Sequence, residues 1–168
     1  MALIDTTYFV SDPRAIPGVN ESANPAGVAV AASVTQFIAM YEPKFLRYLF
    51  GDDLYDDYIT NGSEARWTAV KALLYNNTTK VSILADYVFY NWAQQHQVIA
   101  TSGGDKESGD AGMTPMANVP LYMETWRRIS EGVSDVVEYL AEHPDDFPLF
   151  DGGASAEFYF EMVNPFDI

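Results

Sequence analysis

Residues 79–100 are apolar on nearly every side if they are helical. Val81, Ile83, Leu84, Tyr87, Val88, Phe89, Tyr90 and Trp92 leave no continuous polar face. A helix of that kind cannot lie on a surface and has to be enclosed by other helices. The chain is therefore expected to be a bundle with this segment at its centre. Asp86 and Asn91 sit inside the run, and each needs a partner if buried.

The flanking sequence supplies the enclosing helices. Asn24-Pro25 is a helix start, with Asn as cap and Pro at the first helical position. Val28, Val30, Ala31, Val34, Phe37, Ile38 and Tyr41 follow at helical spacing. Pro43 is expected to interrupt that helix, because proline lacks the N–H and clashes with the preceding turn. A second short helix then covers 43–50 and stops at Gly51, and a third runs from Asp52 to Asn61-Gly62. Ser63 is expected to cap a fourth over 64–75, with Trp67, Val70, Leu73 and Leu74 on one side and Asn76-Asn77 at its end. After the central run, Asn118 or Thr114-Pro115 opens the last long helix. Its stripe of Tyr122, Trp126, Ile129, Val133, Val136 and Leu140 ends at His143-Pro144.

Three segments lie outside this pattern. Residues 1–24 begin with an apolar, extended start and continue as a Pro/Gly/Asn/Ser-rich lead-in, together an N-terminal arm. Residues 101–118 are a Gly- and Ser-rich loop, long enough to be functional or disordered. Residues 144–168 form an acidic, aromatic C-terminal arm. There Asp151-Gly152-Gly153 reads as a turn and 157–163 as a strand with Phe158, Phe160 and Met162 on one face. The expected class is mainly α: a bundle domain over 25–143 of about five helices, with extended or β-strand arms at both ends.

Charge narrows the function. The 168 residues carry 24 Asp and Glu against 9 Lys and Arg, and a length of this order suits one domain. A net charge of −15 argues against gripping nucleic acid or an anionic membrane, both of which need basic side chains. A hydrophobic content of 48%, with aromatic residues making up 14% of the chain, separates the protein from disordered acidic tails. The acidity is uneven. After Arg128 no Lys or Arg occurs, and Glu131, Asp135, Glu138, Glu142, Asp145, Asp146, Asp151, Glu157, Glu161 and Asp167 supply −10 of the total. That third of the chain provides solubility or docks a basic partner. No segment reaches the roughly 18 apolar residues of a membrane span. The start lacks the basic and apolar regions of a signal peptide, so synthesis in a cytoplasm is expected and the sequons at Asn20, Asn61, Asn76 and Asn77 are chance matches.

Catalytic chemistry finds little support. The absence of Cys removes disulfides, thiol nucleophiles and thiolate zinc sites. Asp52, Asp53, Asp56 and Asp57 put carboxylates at i and i+4, a spacing that can hold a divalent cation, but no second acidic motif faces them. Their plainer role is to favour the positive end of a helix dipole. Asp105, Glu107 and Asp110 fail as a calcium loop, since Asp110 stands where glycine is required and Met116 where Glu is required. Gly103-Gly104-Asp105-Lys106 is not a phosphate-binding loop. His96 and His143 belong to no triad motif, and Gly-x-Ser-x-Gly is absent. No enzyme, metal or cofactor is expected.

One stretch exceeds generic helical patterning: Phe37-Ile-Ala-Met-Tyr-Glu-Pro-Lys-Phe-Leu-Arg-Tyr-Leu-Phe-Gly-Asp-Asp-Leu-Tyr-Asp-Asp-Tyr58. Tyr41-Glu42-Pro43-Lys44-Phe45-Leu46, then Leu49, Gly51 and Leu54-Tyr55, is its specific part. It resembles a family of small helical proteins of tailed phages and prophages of gut bacteria, read as head–tail connector (adaptor) proteins. Ile83-Leu-Ala-Asp-Tyr-Val-Phe-Tyr-Asn-Trp92 is similar to that family's aromatic helix. Thr101 to Gly104 match the Thr- and Gly-containing loop that follows, and Trp126 matches the next helix. The resemblance spans roughly residues 35–135.

It implies a virion protein made in the host cytoplasm and placed at the head–tail junction. It further implies a homo-oligomeric ring, commonly of twelve, between the portal protein and the tail or further connector proteins. DNA would pass through that ring without sequence-specific binding, and no membrane is involved. The candidate interface residues are Phe147, Phe150, Phe158, Phe160, Met162 and Phe166, with 157–163 adding to a neighbour's sheet edge or filling its groove. The alternatives are an independent helical module whose acidic C-terminal third docks a basic protein, and a metal-dependent enzyme using Asp52–Asp57.

Overall fold

The computed structural model describes residues 2–97, 100–101, 104–105 and 119–152. Its elements are α1 (Pro25–Phe50), α2 (Asp52–Asn61), α3 (Trp67–Leu74), α4 (Ile83–Gln97) and α5 (Val119–Glu142). A two-residue ribbon, β1 (Ala100–Thr101) with β2 (Gly104–Asp105), is antiparallel. The class is mainly α, as the sequence indicates.

The all-round apolar segment is α4, and it is central. It packs most extensively against α5 and α1, and Leu84, Ala85 and Val88 have no exposed surface. It starts at Ile83, later than the pattern suggests, because residues 76–82 make a turn of their own. The Asn76 side chain accepts the N–H groups of Thr78 and Thr79, and Lys80 has a φ of 57°. Ser82 then opens the helix. Its hydroxyl oxygen accepts from the Ala85 N–H at 3.2 Å and its O–H donates to the Leu74 carbonyl at 3.0 Å, which joins the end of α3 to the start of α4.

Three further boundaries differ from expectation. Pro43 does not divide α1, which runs unbroken for 26 residues. Ile38, Tyr41, Phe45, Leu46 and Leu49 are buried on both sides of the proline. Their packing offsets a missing hydrogen bond and clash of about 3 kcal/mol. Ser63 caps nothing, since α3 begins at Trp67 with no side-chain cap after a turn over 63–66. The N-terminal segment is no free extended arm. Thr6–Phe9 is a 3-10 turn, and Ile4, Tyr8, Phe9, Ile16 and Val19 belong to the buried core. The bundle's core thus begins well before residue 25.

Gly51 makes the corner between α1 and α2. Its φ of 76° and ψ of 167° lie in a region essentially closed to side chains. Its N–H continues the α1 ladder to Arg47 while its carbonyl accepts from Tyr55 in α2. Gly51→Ala is expected to cost about 1–3 kcal/mol, lowering the urea midpoint at unchanged slope. An unchanged midpoint would show that this corner tolerates another backbone geometry.

Candidate interaction surface

Every arginine of the chain is committed to an internal carboxylate. Arg14 lies 3.0 Å from Asp86, and Arg128 lies 2.9 Å from the same oxygen. Arg47 reaches Asp52 at 2.7 Å and Asp56 at 4.0 Å, with its guanidinium over the Tyr55 ring. Arg66 joins Asp57 at 2.7 Å and Glu64 at 2.8 Å. Arg127 pairs along α5 with Glu124 and Glu131. Those hydrogen bonds hold the Glu124 carboxyl below its ordinary range and raise the Arg127 guanidinium further. With the arginines occupied, what remains on the surface is mostly negative.

The negative remainder is organised. Helical spacing puts Glu124, Arg127, Glu131, Asp135, Glu138 and Glu142 on the exposed face of α5, opposite buried Ile129, Val133, Val136 and Leu140. Beyond Arg127 that stripe contains only acids. Exposed Asp145 and Asp146 continue it into the turn that follows. Such a face repels phosphate and attracts a basic surface.

The aspartates of α2 do not converge. Asp52 and Asp56 turn to Arg47, and Asp57 turns to Arg66, where it also accepts from Asn61 at 2.8 Å. Among the described residues no group of three His, Asp or Glu is placed to hold a metal ion, and no helix is long and apolar enough to cross a membrane. Each histidine binds the carbonyl one helical turn back and stacks on an aromatic there. His96 lies on Trp92 and His143 on Tyr139, both with ring centroids 4.2 Å apart.

The candidate interface residues separate into two groups. Phe147 is a core residue, 1% exposed, with its ring 5.1 Å from Trp67 and 6.3 Å from Tyr139. It is not available to a neighbour without unfolding the turn that carries it. Phe150 is half-buried against the same core. Arg66 seals this turn by donating to the Asp146 carbonyl at 2.8 Å. Phe158, Phe160, Met162 and Phe166, and with them the strand expected at 157–163, lie outside the described residues, as does most of loop 101–118.

Two arrangements were only partly legible beforehand. Asp86 is flagged by its position in an apolar helix, but its partners come from residues 72 and 42 positions away. Glu42, within the segment 37–58, is buried and accepts the backbone N–H groups of Leu3 at 2.9 Å and Ile4 at 3.3 Å. Burial is the larger influence and pushes its carboxyl above the ordinary Glu value, against those hydrogen bonds. A raised folded-state value means that the native protein binds more protons than the unfolded chain, so this contribution is complete below the ordinary Glu pKa and fades as pH rises through the raised one. Glu42→Gln cannot ionise. Its melting temperature relative to the parent is therefore expected to climb between pH 4.5 and pH 7, and a constant difference across that span would refute the assignment.

No family model, curated protein or solved structure matches the chain.

Proposed function

We propose that the chain is a structural subunit of a tailed-phage virion, a head–tail connector that assembles as a ring between portal and tail and acts without catalysis. The observation that carries this reading is the motif 37–58 seen in its setting. Tyr41, Phe45, Leu46, Leu49 and Leu54 are buried in the core, Gly51 turns the α1–α2 corner, and Glu42 ties down the chain's start. The residues that carry the resemblance are thus architectural, as expected of a scaffold whose job is to hold a shape. Arginines bound internally and an acidic outer face on α5 fit a subunit past which DNA slides without sticking.

Mixing the full chain with the portal ring of the same phage tests the proposal. A complex of defined multi-copy stoichiometry, visible by native mass measurement, is expected, and a chain that stays monomeric and leaves the portal unbound would overturn it. The acidic stripe of α5 favours a second reading, a module that docks a basic protein. That reading requires binding that weakens steeply with salt and proceeds without self-assembly.

A further inference from the structure

Asn61-Gly62 is the one Asn-Gly pair in the chain, and it stands at the end of α2. The glycine is imposed by packing. A Cβ on Gly62 would collide with the Tyr58 carbonyl and crowd the Tyr58 ring. A glycine after asparagine leaves its backbone nitrogen unshielded, so that nitrogen can reach the asparagine side chain. Asn61 and Gly62 are both half-buried. The Asn61 amide donates from Nδ2 to Asp57 Oδ1 at 2.8 Å, and the other Asp57 oxygen holds Arg66 at 2.7 Å. A carboxylate only accepts, so the amide's nitrogen is the atom that faces it.

We propose that Asn61 is a site of spontaneous modification, converting to aspartate and isoaspartate, and that its hydrogen bond to Asp57 holds the conversion in check while α2 is folded. The bonds balance without a redox partner. The Gly62 nitrogen gives its proton to water and bonds to Asn61 Cγ. The Cγ–Nδ2 bond breaks and the amide leaves as ammonia. Water then opens the cyclic imide at either carbonyl. In a helix the side chain leans toward the N-terminus, and the bond one turn back to Asp57 keeps Cγ turned away from the Gly62 nitrogen. Ring closure therefore needs the last turn of α2 to open, and its rate follows the population of that opened state.

The product weakens the place where it forms. A carboxylate at position 61 faces Asp57 one turn away, where like charges repel, and it lies at the negative end of the helix dipole. Isoaspartate also adds a carbon to the main chain, in a corner tied on every side. Glu64 donates its N–H to the Asn61 carbonyl at 2.9 Å, Lys71 donates to the Gly62 carbonyl, and Arg66 donates to the Asp146 carbonyl at 2.8 Å. Through Arg66, conversion at Asn61 is felt in the turn that carries Phe147.

The site does not depend on how the chain assembles. Full-length parent, Asp57→Ala and Asp57→Asn, each incubated in mildly alkaline buffer, are compared by the mass of the peptide carrying residue 61 and by an isoaspartate assay. The parent is expected to convert about tenfold faster in strong urea than when folded. Folded Asp57→Ala should approach the urea rate. Asp57→Asn loses the same ion pair with Arg66 but keeps an oxygen that accepts from Asn61, so it should stay near the folded parent. That contrast separates the hydrogen bond from a general loosening of α2. Asn61→Asp, which carries the product's charge, should lower the urea midpoint, and an unchanged midpoint would refute the weakening. An unfolded parent that keeps Asn61 intact removes the site. Equal rates in folded and unfolded parent, equal rates in folded parent and Asp57→Ala, or Asp57→Asn as fast as Asp57→Ala would overturn the control by Asp57.

Discussion

Asp86→Ala is expected to lower the folding free energy by about 3–5 kcal/mol, a large part of the roughly 5–15 kcal/mol that a domain commonly has. The Asp86 side chain is 4% exposed, and one of its oxygens serves both Arg14 and Arg128. Arg14 is itself buried and also donates to the carbonyls of Tyr8 and Lys80. Removing the acid leaves buried Arg14 without its counter-ion and facing a second cation, the part-exposed Arg128. The same change loosens the N-terminal segment, because Arg14 is one of the groups that tie it to α4. Urea unfolding should show the loss as a lower midpoint, with early exposure of Tyr8 and Phe9. The triple change Arg14→Leu, Asp86→Leu, Arg128→Met removes all three charges together and should recover much of the loss, since an apolar replacement leaves no unpaired charge. A cost below about 1 kcal/mol for Asp86→Ala would mean that the pair is solvated and the network is not buried.

Trp67→Ala is expected to cost about 3–5 kcal/mol. The ring is fully buried and lies 5.4 Å from Phe50, 4.8 Å from Tyr58 and 5.1 Å from Phe147. It touches α1, α2 and the turn after α5 together, so a cavity there cannot close by moving a single helix. Its indole N–H has no hydrogen-bond partner among the described residues. Trp67→Phe therefore loses volume without orphaning an acceptor, and about 1–2 kcal/mol is expected. If phenylalanine proves as damaging as alanine in chemical denaturation, the N–H has a partner after all.

The parts of the fold that the sequence made legible are those governed by local chemistry. The Asn24-Pro25 start, the Asp52–Asn61 helix and the stripe of α5 all depend on neighbours within a few positions, and all three are found. Pro43 misled because its local cost is outweighed by core contacts on both sides of it, which no short window reveals. The apolar start of the chain looked like an arm because its partners, Glu42 and Asp86, lie 38 and 72 residues away. Phe147 looked like an interface residue because an aromatic in an acidic tail resembles an exposed anchor. Its pocket is formed by Trp67, eighty positions earlier.

By itself the sequence determined a helical class, a central α4 and a strong excess of acids concentrated after Arg128. Periodicity, composition and net charge are properties of the chain read in order, so they survive without coordinates. Only the tertiary structure decided which apolar residues are spent inside the molecule and which arginines are already neutralised. Burial and ion pairing depend on which distant segments meet, and no window of neighbouring residues contains them.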